Sequence, residues 1–245
     1  MTTNYDSIAE QYKRAKEQPW RSHVESFTLM QLIGDPSGLS VMDLACGEGF
    51  YTRMIHGRGA SRVTGVDLSR GMIDLARQQE AGQQRGIHYE VADARSLKPT
   101  EQVDLAVAAY LLNYARNRSE LQAMCDGISR CLRSDGRFVG VNSSPSLHFP
   151  TAPSYRKYGF ETKVQGEWKE GAPITWTFYL SDRTVDVENY YLDVEAHEAA
   201  LRRAGFRVIR WQEPRLSPEG LAENGATYWS SLLDDSPVMF FECRK

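Results

Sequence analysis

Between residues 40 and 142 the chain alternates two kinds of hydrophobic pattern. Short apolar runs at 40–45, 62–68, 87–91, 103–109 and 137–142 predict buried strands. Between them, 50–56, 70–81 and 119–132 carry apolar residues three and four positions apart, the spacing of a helix with one buried face. In 70–81 the inward set is Met72, Ile73, Leu75 and Ala76, with Ser69 placed to cap the first turn. Ser134-Asp-Gly136 predicts the turn from the third helix into the fifth strand. Alternating strands and helices imply right-handed crossovers and a mostly parallel sheet.

Outside this block the pattern changes. Residues 4–16 place Ile8, Ala9, Tyr12 and Ala15 on one helical face, and Glu10, Lys13 and Arg14 elsewhere. Pro19-Trp20-Arg21 predicts a break, and 23–33 a second amphipathic helix ended by the turn at 34–38. After Asn142 the alternation stops. Pro145, Pro150 and Pro153 predict an irregular segment over 143–158, followed by strands at 160–164, 174–180 and 184–191 with Ser181-Asp-Arg183 as a hairpin loop. Helices at 193–204, 216–224 and 227–233 and strands at 206–211 and 238–243 complete the pattern. The expected layout is one α/β domain over 1–245, with a helical cap at 1–38 and an antiparallel insertion at 144–192.

Composition narrows the function classes. A chain of 245 residues suits one domain with an appendage. A net charge of −3 leaves no basic face, so nucleic acid is not an expected partner. No apolar run approaches the roughly 20 residues of a membrane span, and the polar start Met-Thr-Thr-Asn-Tyr-Asp shows no secretory signal. A cytoplasmic protein is expected, a monomer or weak homodimer. Cys46, Cys125, Cys131 and Cys243 form no C-x-x-C pair, so no metal site is expected.

The candidate chemistry starts where the first strand ends. Asp43-Leu-Ala-Cys-Gly-Glu-Gly49 puts Gly47 and Gly49 in a loop that exposes backbone N–H groups to a ligand. Asp67 ends the second strand, eighteen residues after Gly49, a spacing at which a carboxylate can accept both hydroxyls of a ribose. A dinucleotide and S-adenosylmethionine share that requirement. Against the dinucleotide, the third position of G-x-G-x-x-G is Thr52.

The D-x-A-C-G-x-G motif, with Asp67 and Asp93 in register, resembles the class I S-adenosylmethionine-dependent methyltransferases over about residues 40–143. That resemblance implies a Rossmann-like seven-stranded sheet of order 3-2-1-4-5-7-6, its last strand antiparallel, with the insertion above the carboxyl ends of the strands. It implies that Asp93 meets the adenine amino group beside Ala94, and that Leu68 and Met72 flank the ring. Ala45, Gly47 and the main chain around Ala109 and Tyr110 match positions holding the methionine moiety. Tyr5-Asp-Ser-Ile-Ala-Glu-Gln-Tyr12 is similar to an opening helix that closes over the cofactor, with Tyr12 near the methionine end. Arg21 is a candidate partner for the methionine carboxylate.

Methyl transfer from a sulfonium needs alignment and desolvation more than a strong base, so catalytic side chains leave a weak sequence signal. The catalytic candidates are Tyr5 and His148, the histidine as a proton acceptor. Acceptor-binding candidates are Trp20, Tyr110, Asn113, Tyr155, Trp168 and Trp176, because aromatic walls suit a flat acceptor. Pro19-Trp20-Arg21 together with the cap and loop motifs is similar to the toxoflavin-biosynthesis N-methyltransferases. That narrower resemblance implies methylation at ring nitrogens of an azapteridine. The competing readings are O- or N-methylation of another aromatic metabolite, a cofactor-binding protein without transfer activity, and an NAD oxidoreductase.

Overall fold

The computed structural model describes residues 5–7, 9–98 and 101–245, without the side chains of Ser7, Ala9, Glu10 and Tyr12. A seven-stranded sheet forms from β1 (Ser40–Leu44), β2 (Arg62–Asp67), β3 (His88–Val91), β4 (Val103–Ala109), β5 (Leu132–Ser143), β9 (Val208–Gln212) and β10 (Val238–Arg244). Its order is β3-β2-β1-β4-β5-β10-β9, with β10 antiparallel to both its neighbours. With β9 and β10 counted as the sixth and seventh strands of this sheet, that is the expected order. β1 is buried along its whole length and β4 along most of it. Strands covered on both faces must be apolar throughout, which is why they read as continuous hydrophobic runs.

Helices α3 (Phe50–Gly57), α4 (Arg70–Ala81), α5 (Arg118–Cys131) and α6 (Val194–Arg203) cover the sheet, and α7 (Pro218–Asn224) and α8 (Ala226–Asp234) lie near the carboxyl terminus. Ser69 caps α4 as expected, accepting from the Met72 N–H, and Asp193 caps α6 by accepting from that of Ala196. Ser134-Asp-Gly136 behaves differently from the expected turn. Strand pairing begins at Leu132, jumps from Val103–Leu132 to Leu105–Arg137, and leaves the intervening residues as a bulge inside β5.

The insertion is a separate antiparallel sheet of β6 (Phe160–Val164), β7 (Pro173–Tyr179) and β8 (Thr184–Tyr190), in that order. Ile174, Trp176 and Phe178 alternate inward along β7. The rings of Trp176 and Phe178 join a stack in which Tyr155 lies on Phe160 at 5.2 Å and Phe160 on Trp176 at 5.3 Å. The insertion therefore shares a core with the cap and with α2 (Phe27–Ile33).

In the cap, α1 (Ala9–Ala15) follows a short turn at Tyr5–Ser7. The chain breaks at 16–18 rather than at the expected Pro19-Trp20-Arg21: Pro19 and Trp20 already begin the next helix, which continues as a π-helical turn, Arg21–Ser26, straight into α2. This corrects the expected start of the second helix, and π turns are often found at functional sites. No helix among the described residues is long and apolar enough to cross a membrane. The four cysteines are buried free thiols.

Candidate active site

The carboxyl ends of β1, β2 and β4 meet the cap around a cavity of about 370 Å³, a size suited to a small-molecule ligand. Its floor is the loop after β1. Ala45, Gly47 and Gly49 have φ of 55°, 57° and 85°, a conformation that glycine adopts without strain. A side chain at Gly47 would push into the cavity, since its Cβ would come within 3.3 Å of Lys16 Nζ. At Gly49 a Cβ would collide with the Tyr89 ring.

Three carboxylates support this loop from below. Asp43 is buried and accepts from Thr52 Oγ1 at 2.6 Å; burial pushes its carboxyl up to about 7. Thr52, which argued against a dinucleotide from its side-chain type alone, thus ties α3 to the end of β1. Glu48 accepts from Arg53 Nη2 at 2.6 Å and lies 3.5 Å from Lys16 Nζ. Asp67 accepts from the Gly47 N–H and the Ser69 N–H, each at 2.8 Å. Burial raises its carboxyl above the ordinary value despite these bonds. Each carboxylate oxygen has two acceptor sites, so both retain capacity toward a ligand.

Leu68, Met72, Asp93 and Ala94 form one side of the cavity and Ala109 and Tyr110 the other. Leu68 is 64% exposed, a large apolar side chain left open at the rim. Asp93 caps the turn Ala94–Ser96, accepting from the Arg95 N–H at 2.9 Å, and its carboxylate also pairs with the Arg95 guanidinium at 2.6 Å. That pairing holds its carboxyl below the ordinary value. The turn is pressed in place by α5, where a Cβ on Gly127 would collide with the Ala94 carbonyl.

The inner end of the cavity carries a buried charge cluster that the sequence did not single out. Glu25 accepts from Arg21 Nη1 at 2.6 Å, from Tyr51 Oη at 2.7 Å, and from Tyr110 Oη. Arg21 lies among the rings of Trp20, Tyr110 and Phe178, 4.5–5.3 Å from their centroids. Its charge is met by Glu25, which changes the expected role of Arg21 as a carboxylate partner for the ligand. Burial, reinforced by Glu25, lifts the Tyr110 hydroxyl well above its ordinary range. Tyr110 also has φ of 63°, an uncommon conformation for a bulky residue, held by its N–H bond to Val141 O at 2.8 Å. The Arg21/Glu25 spacing of four residues beside Trp20 and Val24 was the available cue; the expected helix started too late to expose it.

Not every candidate reaches the cavity. Of the two catalytic candidates, Tyr5 lines it and bonds Tyr114 Oη. His148 is exposed, bonds Thr151 at 2.9 Å and does not line it. Trp20 is buried against Phe160, and the Tyr155 hydroxyl donates to Asp235 O at 2.5 Å. Trp168 lies on Tyr191 at 4.0 Å. These three aromatics, and Asn113, are absent from the cavity wall because other segments take up their surfaces; Asn113 is itself buried. Trp176 lines an adjoining narrow cleft instead. The Tyr12 side chain lies outside the described residues. Lys16, Tyr51, Tyr114 and Arg116 line the cavity without having been expected there. Among the described residues no cluster of His, Cys, Asp or Glu is arranged to hold a metal ion.

Residues 41–136 match the methyltransferase-domain family. The chain is 31% identical over 222 residues to the ubiquinone/menaquinone biosynthesis C-methyltransferase of Desulfotalea psychrophila, covering 89% of this chain and 83% of that one. The chain belongs to the class I S-adenosylmethionine-dependent methyltransferases. This methyltransferase is also 23% identical over 172 residues to the N-demethylindolmycin N-methyltransferase of Streptomyces griseus, with 69% of this chain and 70% of the relative covered. The crystal structure of an S-adenosylmethionine-dependent methyltransferase from Mesorhizobium loti superposes with a TM-score of 0.65 at 25% identity, over 90% of this chain and 97% of that one. The cavity's lining suits the cofactor: a glycine-containing loop, a carboxylate at the end of β2, and apolar faces flanked by Asp93.

Proposed function

We propose that this methyltransferase methylates a ring nitrogen of a planar heteroaromatic small molecule, azapteridine precursors of toxoflavin being the specific class. The observation that supports this best is the inner end of the cavity. There Tyr110, in a left-handed backbone conformation, stands with Tyr114 on the cofactor side, and Trp176 and Phe178 lie directly behind it. Flat rings on several sides favour a flat acceptor. In this reading Ala45, Gly47, Asp67, Leu68, Met72, Asp93, Ala94 and Ala109 hold S-adenosylmethionine. When bound, the cofactor supplies a methyl group on a positively charged sulfur.

The protein's share is to hold the acceptor in line and to exclude water. Glu25 already accepts from three donors, so it serves the geometry of Arg21 and Tyr110 rather than removing a proton. An acceptor with an acidic ring N–H loses that proton without a dedicated base. The similarity to a C-methyltransferase at 31% identity supports a second reading, methylation at a ring carbon of a quinol. Incubation with methyl-labelled S-adenosylmethionine and each acceptor separates them. Label on nitrogen of the azapteridine supports the first reading; label only on the quinol carbon replaces it; label on neither acceptor rejects both.

A further inference from the structure

A second and much narrower cleft of about 10 Å³ adjoins the cavity at Tyr110 and Arg21. Tyr110, Tyr114 and Arg21 line both spaces, so the cleft continues the cavity past its aromatic end. Trp176, Phe178, Val187 and Asn189 of the insertion close it. That volume holds about one water-sized group; it takes a substituent, not a ring.

Two residues lining the cleft carry buried donors that meet no acceptor among the described residues. Trp176 is 2% exposed and its Nε1 donates to nothing among the described residues. Asn189 is 3% exposed; its Oδ1 accepts from Ser143 Oγ at 3.1 Å, which leaves Nδ2 as a buried donor with no acceptor. The Arg21 guanidinium forms a third wall. Buried donors are almost always satisfied, and leaving one unmet is unfavourable. Two such donors on residues that line a space for one group are what a site for one oxygen acceptor requires.

We propose that this cleft is an acceptor subsite that seats a single ring carbonyl oxygen, and that Trp176 and Asn189 set acceptor specificity. The proposal rests on the heteroaromatic reading above and narrows it to rings with a carbonyl adjoining the methylated N–H. Loss of the N–H proton to solvent leaves a negative charge shared between ring nitrogen and carbonyl oxygen. The two donors stabilise the oxygen's share. The nitrogen lone pair then forms the N–CH3 bond while the S–CH3 bond breaks, its electrons returning to sulfur as a neutral thioether. Trp176 and Asn189 thus favour the reactive anion without taking a proton.

The test uses pteridine-2,4-dione, which has ring carbonyls beside N–H groups, and unsubstituted pteridine, which lacks them. Binding of each is titrated in the presence of S-adenosylhomocysteine to wild type, Trp176→Phe and Asn189→Asp. The expected result is roughly tenfold or greater weakening of dione binding in each variant, little change for pteridine, and unaltered S-adenosylhomocysteine affinity as proof of folding. A second readout is the absorbance titration of the bound dione: its ionisation shifts to lower pH in wild type and less so in the variants. Equal sensitivity of both ligands, or unchanged dione binding in both variants, overturns the carbonyl subsite while leaving the heteroaromatic reading intact. If neither ring binds to wild type although S-adenosylhomocysteine does, the heteroaromatic reading falls with it.

Discussion

Glu25→Leu removes a carboxylate that three donors share inside the protein. Glu25 and Arg21 are 2% and 3% exposed, and their contact is 2.6 Å. Removing one partner of a buried ion pair costs about 3–5 kcal/mol, because the remaining charge keeps its desolvation penalty. Tyr51 and Tyr110 also lose their acceptor, at about 1–3 kcal/mol for an unsatisfied buried group. Relaxation makes these terms less than additive, so about 4–6 kcal/mol is expected, a large part of the roughly 5–15 kcal/mol that stabilises a domain. Replacing both charges, in Arg21→Met with Glu25→Leu, removes the stranded guanidinium. Urea unfolding followed by circular dichroism measures all three variants. The double variant should be more stable than the sum of the two single losses predicts by at least about 2 kcal/mol. A loss below about 1 kcal/mol for Glu25→Leu, or strict additivity in the cycle, would refute the buried-hub reasoning.

Other consequences are simpler to read. Burial raises the Asp43 carboxyl to about 7 from 3.8, so the folded protein binds the extra proton between those values. Its stabilising effect is complete below about pH 4 and is lost as pH rises through about 7; Asp43→Asn should flatten that part of the melting-temperature profile, and identical profiles would contradict it. Thr52→Val strips Asp43 of its hydroxyl donor and should destabilise by about 1–3 kcal/mol in urea unfolding. Gly127→Ala should push α5 away from Ala94, lowering the melting temperature and weakening S-adenosylhomocysteine binding together. A loss of neither would show that the contact is not needed.

How much of this was legible from residue order follows from what each pattern depends on. The parallel sheet was readable because β1 and β4 are buried on both faces and so must be apolar along their length. The glycine loop was readable because positive φ at Gly47 and Gly49 restricts residue type. The strand at 174–180 was readable, but what covers the face that carries Trp176 and Phe178 depends on distant residues such as Phe149 and Phe160. Trp20 and Tyr155 were expected at the ligand for the same reason and are core residues instead. The Arg21–Glu25 pair was hidden by the π-helical turn at Arg21–Ser26, which departs from the 3.6-residue period used to assign helix faces.

Asp67 joins the glycine loop to β2 and faces the cavity, so the central claim can be tested on one carboxylate. Asp67→Asn keeps the side chain's shape and an oxygen acceptor but removes the charge. Calorimetric titration of S-adenosylhomocysteine and of NADH into wild type and Asp67→Asn is the direct measurement. Tight binding of S-adenosylhomocysteine to wild type, none of NADH, and at least about tenfold weaker binding to the variant is the predicted result. Equal affinity of the two proteins for S-adenosylhomocysteine, or a preference of wild type for NADH, would contradict the assignment of this cavity.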